Sequence, residues 1–405
     1  MKATSTGRFA SSTPEIVRPV FICCAAMLLV GNAFAQGTVL SHGESVSIRS
    51  EILDENRTFR VWTPPDYQHT GLAYPVLYVL DGDVHFHHAV ASVQFSARYI
   101  RVPEMIVVAI DHPNRSRDLV PVPDTTHGSD GSMIVGPPGF LRFLTEELLP
   151  FVESTYRTEP FDILFGHSLG GLFAVSAFVE APDAFEATLA VSPSLYWRDR
   201  LVVAQTADVL GEVSPHNRFL YLALGGAEPP NIARSTGALR TALNKGAPDW
   251  LRWSWAEFEN ENHLTVPYDA MHHGLRAIFG DWVSGLGGTT ESLRAAGTVE
   301  PLVSRARDVA DLYGYAIREP EFLLATLASR LAGDNPALGL ELMRRRVATY
   351  PSSPDAYDQL AQALESAGSV AEAVRSYERA VELAREQGFA GLAEIEGRLE
   401  RARGR

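Results

Sequence analysis

Cysteine is almost missing from this chain of 405 residues: there are 2, at Cys23 and Cys24, and none follows them. The body of the chain therefore has no disulfide framework, no thiolate nucleophile and no Cys-ligated metal site. Positive charge is also short, with 35 Lys and Arg against 49 Asp and Glu and a formal net charge of -14. Phosphate contacts need a local excess of basic side chains, so nucleic acid and anionic lipid surfaces are poor partners. The longest uninterrupted apolar run, Val20 to Val30, is too short to span a bilayer comfortably. What remains is the composition of a water-soluble globular protein, 46% hydrophobic and 21% charged, long enough for two or three folded units.

Residues 1–35 read as an export signal. Lys2, Arg8 and Arg18 form a basic leader, the apolar run follows, and Ala33-Phe34-Ala35 supplies a small-x-small cleavage pattern before Gln36. Cleavage after Ala35 would deliver a periplasmic or secreted protein without either cysteine and without a stable membrane anchor. Its stability in an oxidising compartment must then come from packing.

Residues 36–283 alternate short β-branched or aromatic runs with stretches of helical periodicity, the pattern of an α/β domain with a mostly parallel sheet flanked by helices. Strands are expected at Phe59 to Trp62, Tyr74 to Leu80, Met105 to Ile110, Phe161 to Phe165, Ala187 to Ser192, Arg218 to Leu224 and Trp253 to Phe258. A crossover helix is expected from Pro138 to Tyr156, with Glu146 and Glu147 on its polar face. Ser284 to Thr290 breaks the pattern, and 284–320 reads as a linker and connecting helix. Residues 321–405 are helical throughout. Tyr357, Leu360, Ala361, Leu364, Gly368, Ala373, Tyr377 and Ala380 fall at the offsets of a tetratricopeptide unit, although Arg385 stands where that unit ends in Pro. A shortened copy precedes it, ending at Pro351. The alternative is a helical hairpin capping the first domain, and two copies are few enough that the module should lean on a neighbour.

The chemistry is carried by Phe161 to Ala174, where a strand runs into Gly166-His167-Ser168-Leu169-Gly170 and then into an apolar helix. That is the context of a nucleophile elbow, in which Ser168 projects its hydroxyl above the sheet. A serine needs a base to take its proton. His263, on the loop after the last strand, fits best; His272 and His273 lie inside a helix, and His167 is expected to point elsewhere. The acid that orients the base should end the preceding strand, which selects Glu228, with Glu259 and Glu261 as alternatives. The oxyanion needs two donors. The amide of Leu169 supplies one, and the turn after Tyr74 to Leu80 supplies the other through Asp83 or, next to it, Gly82. His85, His87 and His88 with Asp81 and Asp83 match no usual zinc spacing, so no metal is expected. Tyr196 and Trp197 either wall an acyl or aromatic pocket or simply pack. Arg115 either clamps an anionic group of the substrate or pairs with Asp118.

Across most of residues 39 to 283 these segments resemble the esterase D and enterobactin-esterase-like group of α/β-hydrolases. The resemblance is carried by Pro75 to Asp83, Asn114-Arg115-Ser116-Arg117-Asp118-Leu119, Gly166 to Gly171 and Ser192 to Trp197. Asp311 to Tyr315 and the helical tail are similar to members with C-terminal repeats. Membership implies serine-dependent hydrolysis of a small-molecule ester without metal or organic cofactor. Substrates in the group range from siderophore lactones and feruloyl or acetyl sugars to S-formylglutathione, the last being a cytosolic task that export disfavours. The expectation is an exported serine carboxylesterase. Acyl transfer to a sugar is one alternative; another is an interaction protein whose repeats bind a protein partner over a hydrolase-like platform.

Overall fold

The structure, a computed structural model, describes residues 42–120, 137–211, 217–282 and 290–405. The expected leader, both cysteines and the break from Ser284 to Thr289 lie outside the described residues. An 8-stranded sheet runs in the order β1-β2-β4-β3-β5-β6-β7-β8. The strands are β1 (Glu44–Ser50), β2 (Glu55–Trp62), β3 (Tyr74–Leu80), β4 (Ile106–Ile110), β5 (Thr158–His167), β6 (Ala187–Val191), β7 (Arg218–Ala227) and β8 (Leu251–Asn262). β1 and β2 pair antiparallel, as do β2 and β4, and every pairing from β4 onward is parallel. Every residue of β3, β4 and β6 is buried, because parallel strands are covered on both faces.

Helices α1 (Gly82–Arg98) and α8 (Val266–Ile278) cover one face, where Phe86 and Val93 meet Met271 and Leu275 over β3, β5 and β6. α2 (Arg115–Leu119) is a short turn of helix after β4. The other face is covered by α3 (Pro137–Arg142), a π-helical segment Phe143–Leu148, α4 (Leu149–Thr155) and α5 (Leu169–Glu180), burying Phe140, Leu148, Val152 and Phe173. α6 (Leu201–Val209) and α7 (Pro230–Gly246) complete that face beside β7 and β8. The single crossover helix expected at Pro138 to Tyr156 is thus interrupted by a π-helical stretch. Within it Glu147 accepts from Ser50 Oγ at 2.5 Å and from the amides of Glu51 and Ile52 at 2.9 and 3.1 Å. This carboxylate satisfies the turn between β1 and β2.

Among its described residues the connecting region holds two helices, Thr290–Ala296 and Glu300–Tyr313. The second joins two cores: Leu302 is buried with the tail, whereas Tyr313 is buried with the sheet, stacked on Phe219 at 5.3 Å and donating to Ile278 O at 2.8 Å. Burying one such aromatic contributes about 1.5–3 kcal/mol. The tail is built from Glu321–Leu331, Pro336–Thr349, Pro354–Ser366, Val370–Glu386 and Leu392–Arg403. Gly368, at φ 78°, makes the turn between the third and fourth of these helices. Leu360, Ala361, Leu364, Ala373, Tyr377 and Ala380 all enter the tail core, the small alanines letting the helices approach. Arg385 continues its helix and pairs with Glu396 on the last one.

Candidate active site

Register places the polar residues at the strand ends. In β7 and β8, Ala227 pairs with Asn262, so the next residues, Glu228 and His263, leave the sheet side by side. In β5 and β6, His167 pairs with Val191, which brings Ser168 beside Ser192. Ser168 has φ 58° and ψ −112°, a conformation strained for any residue with a Cβ and costing on the order of 1–3 kcal/mol. The turn holds because its amide donates to Val191 O at 3.0 Å and its carbonyl accepts from Ser194 N at 3.0 Å. Gly166 is obligatory here: a Cβ on it would lie 2.0 Å from Gly170 O.

The expected residues come together. His263 Nε2 lies 3.0 Å from Ser168 Oγ, and His263 Nδ1 lies 2.8 Å from Glu228 Oε2. Glu228 is 2% exposed at its side chain, and its second oxygen accepts from Ser192 Oγ and from Gly225 N. Burial pushes its pKa up, but the bonds from His263, Ser192 and Gly225 outweigh that and hold the carboxyl below its usual range. It is therefore ionised at neutral pH and fixes the proton of His263 on Nδ1, leaving Nε2 as the acceptor facing Ser168. The alternatives Glu259 and Glu261 belong to β8 itself, which runs farther than the expected Trp253 to Phe258. His272 and His273 are occupied elsewhere, by Ser96 Oγ at 3.2 Å and Tyr221 Oη at 2.9 Å.

Two helix N-termini open at this point. Leu169 begins α5 directly after Ser168, and Asp83 is the second residue of α1, whose first intrahelical donors are the amides of Val84 and His85 to Asp81 O. The amides of Leu169, Gly82 and Asp83 precede the first donors of their helices, so by position they have no intrahelical acceptor. The two turns are close, since a Cβ on Gly170 would sit 3.3 Å from Asp81 Oδ2. Tyr196 is exposed and Trp197 half-buried, on the turn after β6. Val84 and Leu264, each next in the chain to a site residue, expose 64% and 80% of their surfaces.

Several positions differ from expectation. Arg115 pairs with Asp81 rather than Asp118: its Nε and Nη2 donate to the carboxylate at 2.5 and 2.9 Å, and Nη2 also donates to His167 O at 3.1 Å. Asp118 is instead locked to the buried Arg57 at 2.8 Å and to Arg117 and His112. The Arg-Ser-Arg-Asp-Leu stretch is thus an ion-pair lock that also delivers Arg115 to the elbow. His167 is not turned away from the site; its Nε2 donates to the main-chain O of His263 at 2.7 Å. His85 and His88 face one another at 2.8 Å, while His87 lies against Phe86 and His42. Ser192, Asp81 and His167 were not singled out by sequence reasoning as site residues, although all three lie inside the quoted motifs.

A mostly parallel sheet whose elbow serine faces an imidazole and a buried carboxylate is an α/β-hydrolase site, and this protein is a carboxylic ester hydrolase. The chain belongs to the Esterase family, described as "Putative esterase", whose family model matches residues 50–255, half of its length. Within that family it is similar to esterases named for siderophores. It is 28% identical over 236 residues to the ferri-bacillibactin esterase BesA of Bacillus subtilis, spanning 53% of this chain and 82% of that protein. It is 27% identical over 247 residues to the siderophore triacetylfusarinine C esterase of Aspergillus fumigatus, spanning 51% and 82%. Its fold is shared with an IroE-like serine hydrolase from Shewanella oneidensis, at a TM-score of 0.64 and 23% identity over 75% of this chain and 98% of that one.

Proposed function

We propose that the protein is an exported serine carboxylesterase that acts through an acyl-enzyme on Ser168. Ser168 Oγ attacks the ester carbonyl carbon while its proton passes to His263 Nε2, and Glu228 stabilises the resulting imidazolium. The amides of Leu169 and Asp83 receive the negative charge that collects on the carbonyl oxygen. When the C–O bond breaks, His263 returns the proton to the leaving alcohol. Water then enters, gives a proton to the same imidazole, and the acid departs as Ser168 recovers its hydrogen. The observation that carries this reading is the pair of contacts at 3.0 and 2.8 Å that join Ser168, His263 and Glu228 in one line.

The substrate we favour is a siderophore ester, in keeping with relatives named for ferri-bacillibactin and triacetylfusarinine C. Tyr196 and Trp197 follow Ser194, whose Oγ lies 3.4 Å from Ser168 Oγ, and two aromatic side chains on that turn suit a substrate with flat, aromatic acid groups. Export is inferred from the leader in residues 1–35, and among the described residues no helix is long and apolar enough to cross a membrane. A fluorophosphonate probe should label the wild-type protein and leave Ser168→Ala unlabelled; equal labelling of both would overturn the acyl-enzyme. Hydrolysis of a catecholate trilactone faster than a feruloyl sugar of matched concentration supports the substrate class, and the reverse order removes it.

A further inference from the structure

The reaction just described asks nothing of His167, yet this residue is 8% exposed and packs beside the base. It ends β5, one residue before Ser168. Its ring centroid is 4.8 Å from that of His263. The carbonyl of His263 can only accept, so the 2.7 Å contact requires a proton on Nε2 of His167. Burial and the neighbouring His263 hold its pKa at about 4, so the imidazole is neutral and Nδ1 carries no proton. His85 stands perpendicular to it, with ring centroids 5.8 Å apart.

The turn that bears His263 is stabilised locally. Asn262 N donates to Thr265 Oγ1 at 3.1 Å, Leu264 N to Asn262 Oδ1 at 2.9 Å and Thr265 N to Asn262 O at 3.2 Å. These bonds fix the shape of the turn but not its distance from β5. The His167 bond spans that gap, reaching 96 residues along the chain. Behind it, the carbonyl of His167 is held by Arg115, which is itself held by Asp81 at the entrance to the oxyanion turn. A continuous chain of bonds therefore runs from the oxyanion turn through the elbow to the backbone of the base.

We propose that His167 is a positioning residue for ester hydrolysis: its imidazole N–H grips the main-chain carbonyl of His263 and sets the spacing between base and nucleophile. The proposal rests on the reading in which Ser168 and His263 carry the chemistry. Glu228 fixes the orientation of the His263 ring, and His167 fixes where that ring's backbone stands. The two restraints act on different degrees of freedom, so neither substitutes for the other.

The test compares His167→Gln, whose amide nitrogen reaches about as far as Nε2 and keeps an N–H, with His167→Phe, which fills the ring's volume without a donor. On a p-nitrophenyl ester, His167→Phe should lose about 10- to 100-fold in kcat with KM within about twofold, since misplacement of a catalytic group is felt in the transition state. His167→Gln should recover at least several-fold of that loss, and the rate of fluorophosphonate labelling should follow kcat in both. If His167→Phe does not fold, His167→Asn, whose shorter amide falls short of the carbonyl, takes its place. Wild-type kcat in the donor-free variant, or equal losses in the Gln and Phe proteins, overturns the proposal. Ser168→Ala in the same assay separates the two readings: if it still turns over, the ester mechanism itself fails. If it is dead while the donor-free variant is fully active, only the positioning role falls.

Discussion

Removing the carboxylate behind His263 tests how much of the catalysis a serine and histidine could achieve by themselves. In the proposed mechanism His263 becomes a cation during acylation, with Nδ1 2.8 Å from Glu228 Oε2. At an effective dielectric of about 20, unit charges about 4 Å apart attract by roughly 4 kcal/mol. The carboxylate is 2% exposed, so water screens little of this. Part of the attraction is already present with neutral imidazole as a hydrogen bond, which leaves about 3 kcal/mol specific to the transition state, or roughly a hundredfold in kcat. Glu228→Gln is the informative variant because it keeps the shape and one acceptor oxygen for Ser192 and Gly225. Its amide N–H then faces Nδ1–H, donor against donor, and drives the ring toward the wrong tautomer. Glu228→Ala should also lose stability, since it leaves Ser192 Oγ and Gly225 N without their acceptor.

The assay is steady-state hydrolysis of a p-nitrophenyl ester at fixed pH, with melting temperature measured in parallel. The expected outcome for Glu228→Gln is a loss of about two orders of magnitude in kcat, little change in KM and nearly unchanged melting. A variant within threefold of wild type in kcat would refute the reasoning. The carboxylate would then serve only to fasten the turn after β7, and Ser168 with His263 would suffice.

Acid should weaken the fold through His85 and His167, whose pKa values are held at about 3 and about 4 by burial. Both lie below the unfolded value near 6.5, so the unfolded chain binds more protons below that pH and stability falls from about pH 6.5 down to about 4 for His167 and about 3 for His85, by about 2 kcal/mol for each group from pH 7 to 5. Because the buried Asp162 carboxyl is pushed up and works in the opposite sense, the comparison must be between proteins: the pH 7 to 5 drop in melting temperature should shrink in His85→Gln, and an equal drop refutes it. Gly166→Ala should abolish the elbow, because its Cβ would meet a backbone oxygen at 2.0 Å, and soluble, active protein would show that the turn can relax. Arg346, 3% exposed at its side chain, bonds Glu321, Asp355 and Gln359 across three tail helices. Arg346→Met should cost the tail about 2 kcal/mol and quicken its proteolysis while leaving kcat on a small ester unchanged; loss of kcat would mean that the tail supports the site.

The elbow was legible because its signal is local: a buried strand, two glycines around Ser168 and an apolar helix occupy consecutive residues. His263 and Glu228 were legible for a related reason, as each ends a strand and the acid precedes the base along the chain. The bonds that hold them were not. Whether Arg115 meets Asp81 or Asp118 depends on β3 lying beside β4 in the sheet, with Leu80 opposite Ile110, a pairing that no window of sequence carries. The same applies to His167, whose partner is 96 residues away. β1 left no trace because its residues are mostly polar and, apart from Ser50, exposed or half-buried. The end of β8 reads as a loop for a similar reason: Glu257, Glu259 and Glu261 are charges that an edge strand carries to discourage pairing with other chains.

Strain gives a physical reason why the hidden bonds matter. Three strands on the site side of the sheet, β3, β5 and β6, each pass into a residue with positive φ and a Cβ: Asp81 at 55°, Ser168 at 58° and Ser192 at 44°. Each such residue costs on the order of 1–3 kcal/mol and persists only where its surroundings fix it. The surroundings do so in every case, through Arg115 on Asp81, the amide and carbonyl bonds of Ser168, and Ser192 N to Ala223 O at 2.7 Å. Cutting one restraint therefore does more than remove a contact, because it lets a strained backbone relax toward an ordinary conformation and carries the attached catalytic group with it. On this argument Arg115→Gln, which cuts the restraint on Asp81, should lower kcat, while relief of strain at Asp81 offsets part of the cost of leaving its buried carboxylate unpaired. A fall in melting temperature with kcat preserved would show instead that this bond serves the fold and not the site.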